Sequence, residues 1–144
     1  MSSKYVVGFD DSVTSRRAFE FAKSLAAENG AGIVVAHVLE WSPYTFLTPE
    51  ELEERHKRRT EELARAEQGL AASLKSMVGD NVMQYETVIR YGHVADTIAA
   101  IAVDSKATQI FIGRNGQGGL AARVFGSVAG SLAQTSPVPC TIVP

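Results

Sequence analysis

Cysteine is nearly absent from this chain. Its single copy, Cys140, among 144 residues excludes an intrachain disulfide framework and any cysteine-rich zinc site, and it fits a reducing compartment. Histidine is scarce too: the three copies, His37, His56 and His93, lack the spacing of a metal-ligand set. No apolar run reaches the length of a membrane span, and the N-terminus enters a strand-like run without a signal-peptide core. The expectation is a cytoplasmic protein with no membrane partner. Neither sign of charge dominates, since 14 Lys and Arg against 16 Asp and Glu leave a net charge of −2. That balance lacks the concentrated basic field needed for a nucleic-acid surface, so any bound anion must be held locally. A hydrophobic content of 45% excludes disorder, and the length suits one domain, 1–144, around one core.

What the chain does have is regular alternation of short apolar runs with amphipathic stretches. Tyr5-Val6-Val7-Gly8-Phe9 reads as a strand ending at the helix-capping types Asp10-Asp11-Ser12, after which Ala18, Phe21, Ala22, Leu25 and Ala26 recur at helical spacing. Glu28 to Gly32 stops that helix. Ile33 to Leu39 is a continuous β-rich run of the kind buried on both faces of a parallel sheet. Trp41 to Leu47 has no periodicity. Thr48-Pro49-Glu50-Glu51 then supplies an N-cap, a first-turn proline and a glutamate for a long helix. Leu63, Ala66, Leu70, Leu74 and Met77 form its apolar stripe, and Glu51/Arg55, Glu53/Lys57 and Glu54/Arg58 are i,i+4 pairs on a solvated face.

Asn81 to Ile89 alternates weakly and reads as a third strand at a sheet edge. Val94, Ile98, Ile101 and Ala102 mark a third helix, Ala107 to Ile112 a fourth strand, and Val138 to Val143 a fifth. Such alternation lays helices on both faces of a mostly parallel sheet, with ligands beyond the carboxyl ends of the strands. Asp10, the residues after Val38 and the loop at Gly113 share that end.

The loop itself is the richest signal. Gly113-Arg114-Asn115-Gly116 is followed by nine residues and then Gly126-Ser127. Glycine admits positive φ and close backbone approach to an anion, and Ser127 opens the stretch Val128, Leu132, Ala133, placing a helix N-terminus beside the second half of the cradle. A Walker loop is excluded because no lysine lies between Gly113 and Ser127. Gly116 to Ala121 matches the dinucleotide pattern G-x-G-x-x-[GA], but too little chain follows it to build that domain. Arg114 is the cation of the loop's first half and a candidate partner for phosphate oxygens. Arg123 is left out, because Val124-Phe125 must pack and would fix its direction. His37 and His56 read as structural, and no nucleophile with an orienting carboxylate stands beside His93.

The full spacing G-x-x-G, nine residues, G-S, continued by Val128, resembles the ATP-binding signature of the universal stress protein family. Asp10 closing the first strand, Ala36-His37-Val38-Leu39 in the second, Gly92, and Ser136-Pro137-Val138-Pro139 before the last strand resemble that family too. The resemblance implies a single-domain α/β fold, a five-stranded parallel sheet flanked by helices, Rossmann-like, in the order 3-2-1-4-5. It also implies an adenine nucleotide, ATP with Mg2+, across the strand ends. Carried over residue by residue, Asp10 would contact the ribose and Val38 would line the adenine pocket. Gly113, Arg114, Asn115 and Gly116 would wrap ribose and phosphates, while Gly126, Ser127 and Val128 would offer N–H donors to the distal phosphates. The resemblance further implies a homodimer through the C-terminal strand, whose Pro139 and Pro144 lack donors and would blunt that edge.

Two positions depart from the family pattern. Asp11 stands where glycine is usual, and its carboxylate would repel phosphates unless it caps the helix or a cation intervenes. Gly8 sits inside a strand, marking either a close backbone approach or a weak strand. The function expected is a nucleotide-binding regulatory module and not an enzyme. Two alternatives stand beside it: a phospho-receiver suggested by the pair Asp10-Asp11, and a nucleotide-free dimerisation or adaptor module.

Overall fold

The computed structural model describes residues 3–40, 48–79, 84–115 and 126–144. The stretch Trp41 to Leu47, the first residues expected in the third strand, Gly116 and Arg123 lie outside them. Nine elements follow in chain order: β1 (Lys4–Gly8), α1 (Val13–Asn29), β2 (Gly32–Glu40), α2 (Pro49–Val78), β3 (Tyr85–Gly92), α3 (Val94–Asp104), β4 (Gln109–Gly113), α4 (Ser127–Thr135) and β5 (Cys140–Val143). All strand pairs are parallel, in the order β3-β2-β1-β4-β5. This is the Rossmann-like order, and it excludes the receiver reading, whose flavodoxin-like sheet runs 2-1-3-4-5.

Period-two alternation divides the core between the two faces of the sheet. Tyr5, Val7, Ile33, Val35 and Phe111 face α1 and α2, whose Ala18, Phe19, Ala22, Leu70 and Leu74 close over them. Val6, Val34, Ala36, Ile110 and Ile112 face the other way, against Ile98, Ile101, Ala129 and Leu132 of α3 and α4. Continuous apolar runs are therefore what the middles of β1, β2 and β4 need.

Local capping sets where α1 and α2 begin. Ser12 is the N-cap of α1 and its hydroxyl accepts from the Ser15 amide at 3.2 Å; Thr48 does the same for α2, accepting from Glu51 at 3.2 Å. Gly30 ends α1 in the left-handed conformation, φ 66°. The core-facing stripe of α1 differs from the sequence reading at one residue. Phe19 is fully buried, whereas Phe21 is 47% exposed and only edges onto Phe111, with centroids 6.0 Å apart. On α2, Leu70, Leu74 and Val78 are buried, and Glu54 and Arg58 approach to 3.8 Å on its solvated side.

β3 is an edge strand, as its weak alternation predicts, but it runs on to Gly92 instead of stopping at Ile89. Main-chain pairing with β2 continues through Val38↔Arg90, Leu39↔Tyr91 and Glu40↔Gly92, and a ladder is indifferent to side-chain polarity. The polar tail is anchored from the sides: Arg90 pairs with Asp104 at 2.9 Å, and the Tyr91 hydroxyl lies 3.2 Å from Glu62 of α2.

Candidate functional site

Beyond the carboxyl ends of β1, β2 and β4 opens a cleft of about 350 Å³. It lies between β1, which α1 links to β2 on one side, and β4, which α3 links from β3 on the other, the switch point at which open α/β sheets take ligands. Asp10, Val38, Gly113, Arg114, Asn115, Gly126, Ser127 and Val128 all line it. Gly116 lies outside the described residues. The sequence reading missed Gly8, Ala36, Glu40, Val94 and Ile98, which line it too. Ala36 and Glu40 flank Val38 at period two along β2 and could have been found from that spacing; Val94 and Ile98 come from α3 and are brought in only by packing.

The cleft is polarised. Its β2 side is apolar, through Ala36, Val38, Val94 and Ile98, with the carboxylate of Glu40 at the strand end. Its β4 side carries Arg114 and the start of α4. That helix is capped by Gly126, which has no side chain to accept from the first turn, so among the described residues no side chain caps the amides of Ser127, Val128 and Ala129. About half a positive charge resides there. Asp10 sits between the two sides, and its Oδ1 accepts from the Ser12 amide at 3.0 Å, which fixes the turn into α1.

The glycines work differently from the expectation. Gly126 has φ −59° and ψ 149°, and among the described residues positive-φ glycines are Gly30, Gly79 and Gly92, not Gly113. Gly113 is buried against α1: a Cβ there would lie 2.7 Å from the Thr14 carbonyl carbon and 2.8 Å from the Ser15 nitrogen. Close helix packing, not left-handed backbone, demands this glycine. Gly8 is crowded by side chains instead of backbone, since a Cβ would come 2.5 Å from Ile112 Cδ1 and 2.9 Å from Ile98 Cδ1. It marks a close approach and leaves room at the floor of the cleft.

Nor do all the loop amides face outward. The Arg114 amide donates to the Val143 carbonyl at 2.8 Å, and the Gly126 amide donates to the Arg114 carbonyl at 2.9 Å. The Asn115 amide donates to Thr14 Oγ1 at 3.3 Å, and the Thr14 hydroxyl donates back to the Asn115 carbonyl. These bonds hold the two halves of the loop against each other and against α1. The donors that remain for an anion among the described residues belong to the first turn of α4 and to side chains.

Asp11 neither caps α1 nor enters the cleft. Ser12 takes the cap, while Asp11 adopts φ 63° and turns its carboxylate to Arg16 at 2.7 Å and to Ser73 Oγ at 3.3 Å. It borders a separate cavity of about 230 Å³ with Phe9, His37, Leu70 and Ser73 on the α2 face of the sheet. The left-handed turn explains why glycine is easy at this position. His37 is structural, its Nδ1 2.7 Å from the Phe9 carbonyl oxygen. His56 is exposed on α2, and His93 is the exposed N-cap of α3, with no side-chain capping bond.

Among the described residues no group of three or more His, Cys, Asp or Glu side chains is placed to hold a metal ion, and no helix is long and apolar enough to cross a membrane.

The sequence model of the universal stress protein family matches residues 1–144. A universal stress protein of Thermus aquaticus, named for its position 3′ of a QAH/OAS sulfhydrylase, is 29% identical over 143 residues, covering 99% of each chain. Universal stress protein UspA from Lactobacillus plantarum superposes with a TM-score of 0.82 at 20% identity, over 99% of this chain and 97% of that one. The universal stress protein from Archaeoglobus fulgidus, solved in complex with dAMP, gives a TM-score of 0.63 at 22% identity, over 100% of this chain and 98% of that one.

Proposed function

Because the chain belongs to the universal stress protein family, we propose that its cleft binds ATP, with Mg2+ carried on the phosphates, and that the bound nucleotide sets the state of a cytoplasmic regulatory module in the stress response. One observation carries this reading. Eight residues from the end of β1, β2, the Gly113 loop and the start of α4, carried over from the family resemblance, line a single cleft.

The polarity of that cleft suits the ligand. The apolar wall of Ala36, Val38 and Ile98 would take a flat aromatic base, Asp10 would accept from ribose hydroxyls, and Arg114 with the α4 amides would meet the phosphates. Gly116 would complete the wrapping by the first half of the loop. The dAMP of the Archaeoglobus fulgidus relative belongs to the same ligand class. Without a set of three metal ligands among the described residues, the cation would ride on the triphosphate with most of its shell as water. The protein acts in this reading as a binding module, not an enzyme.

The same proposal pairs two copies through β5, the other sheet edge. Pro139 directs its carbonyl to the Ile110 amide at 2.9 Å, and Val143 directs its own to Arg114. By strand alternation the Cys140 and Ile142 main chains then face outward, so Pro139 costs the outer edge no donor.

Titration calorimetry of the purified protein with Mg-ATP tests the assignment, together with mass spectrometry of any small molecule released on denaturation. A saturable one-site isotherm and a recovered adenine nucleotide are expected. No binding at millimolar Mg-ATP and no recovered nucleotide would leave the adaptor reading in its place.

A further inference from the structure

We infer that Thr14 is a positioning residue for the nucleotide loop: its hydroxyl clasps the main chain of Asn115 and so fixes the loop's first half before any ligand arrives. The inference rests on the ATP-binding reading for its consequence, but the clasp stands on contacts of its own. Thr14 occupies the second position of α1, where its side chain is buried. A threonine hydroxyl has one proton to give and lone pairs to accept with. Here both capacities go to one residue: it donates to the Asn115 carbonyl and accepts from the Asn115 amide at 3.3 Å.

The neighbouring contacts make this clasp the closing member of a set. Arg114 is held through its amide by Val143 and through its carbonyl by Gly126. Gly113 abuts the Thr14 backbone closely enough to leave no room for a Cβ. Asn115 is the next residue along, and Thr14 bonds both of its main-chain groups. Removing the hydroxyl takes a hydrogen-bond partner from each of the two groups, which loosens the chain at Asn115. Arg114 and Asn115 would lose a fixed aim into the cleft, and a preorganised site loses affinity when ordering is deferred to binding.

The effect is selective, because the apolar wall for the base is built from β2 and α3. Thr14→Val keeps shape and removes the hydroxyl; Thr14→Ser keeps the hydroxyl; Thr14→Ala serves if the valine variant does not fold. Calorimetry with Mg-ATP and with adenosine, and hydrogen exchange at the Asn115 amide without ligand, read the outcome. Expected are faster Asn115 exchange and about a tenfold or greater loss of ATP affinity in Thr14→Val, adenosine affinity within about twofold, and recovery of both in Thr14→Ser. Unchanged Asn115 exchange overturns the inference, as does an equal loss for ATP and adenosine or no rescue by serine. A wild-type protein that binds no ATP counts against the ATP reading alone, and the exchange arm then still decides the clasp.

Discussion

Gly113 and Thr14 are packed so closely that a Cβ on the glycine would lie 2.7 Å from the threonine's carbonyl carbon. The end of β4, an inner strand of the sheet, thus rests on the first turn of α1, and the entry to the cleft is built on main-chain contact. A methyl cannot be absorbed there by rotating a side chain, because the atoms it meets include backbone.

Gly113 and Gly126 should therefore respond differently to the same substitution. Gly113→Val is expected to destabilise the fold by about 3 kcal/mol or more, lowering the melting temperature by roughly 10 °C or leaving the protein insoluble. Gly126 has an extended backbone that any residue adopts, φ −59°. Gly126→Val should melt within a few degrees of wild type while losing ATP affinity, since the new side chain would crowd the α4 amides. Equal melting temperatures for the two variants would contradict the packing argument.

Arg114 lines the β4 side of the cleft, where the proposed function places the phosphates. Arg114→Gln is expected to weaken ATP about tenfold and adenosine hardly at all, and to flatten the dependence of ATP affinity on salt. Calorimetry at two ionic strengths measures this, and a uniform loss for both ligands would place the side chain elsewhere.

Asp11 combines a left-handed backbone, which costs a non-glycine residue roughly 1–2 kcal/mol, with an exposed pair to Arg16 at 2.7 Å, worth about 0–1 kcal/mol. Asp11→Gly should accordingly leave stability between unchanged and about 2 kcal/mol higher in urea titrations. ATP affinity should stay level, because the carboxylate borders the cavity on the α2 face and not the cleft. A several-fold gain in affinity would show that Asp11 repels the phosphates after all.

Ile142 faces the outer edge of β5, by alternation from Val143, whose carbonyl bonds the Arg114 amide. Ile142→Pro removes an outward donor and is expected to shift a homodimer to monomer in sedimentation velocity. An unchanged sedimentation coefficient at dimer size would move the interface away from this strand.

Burial pushes the Cys140 thiol above its ordinary value of 9.0. The neutral form is favoured in the folded protein, so thiolate appears at higher pH than in the unfolded chain. Iodoacetamide should label the native protein more slowly at pH 8 than the urea-unfolded one, with the native rate still climbing above about pH 9. By linkage the group contributes its full stability below the unfolded thiol's pKa and loses it as pH rises from there through the folded one. Matching pH profiles in the two states would contradict this.

Residue types and their spacing determined the sheet and its helices. The middles of β1, β2 and β4 are continuous apolar runs because both faces are covered, and Ser12 and Thr48 cap the helices they precede; these are properties of adjacent residues. The spaced glycines and Asp10 were visible for the same reason, each standing where a strand gives way to a turn. Tertiary structure alone decided what those glycines are for. Gly113 accommodates Thr14 and Gly8 accommodates Ile98 and Ile112, contacts between residues far apart in the chain that no local pattern encodes. It also decided which amides stay available: those of Arg114, Asn115 and Gly126 are taken by Val143, Thr14 and Arg114. A donor's availability depends on what the folded chain brings within hydrogen-bond reach, and only three dimensions set that.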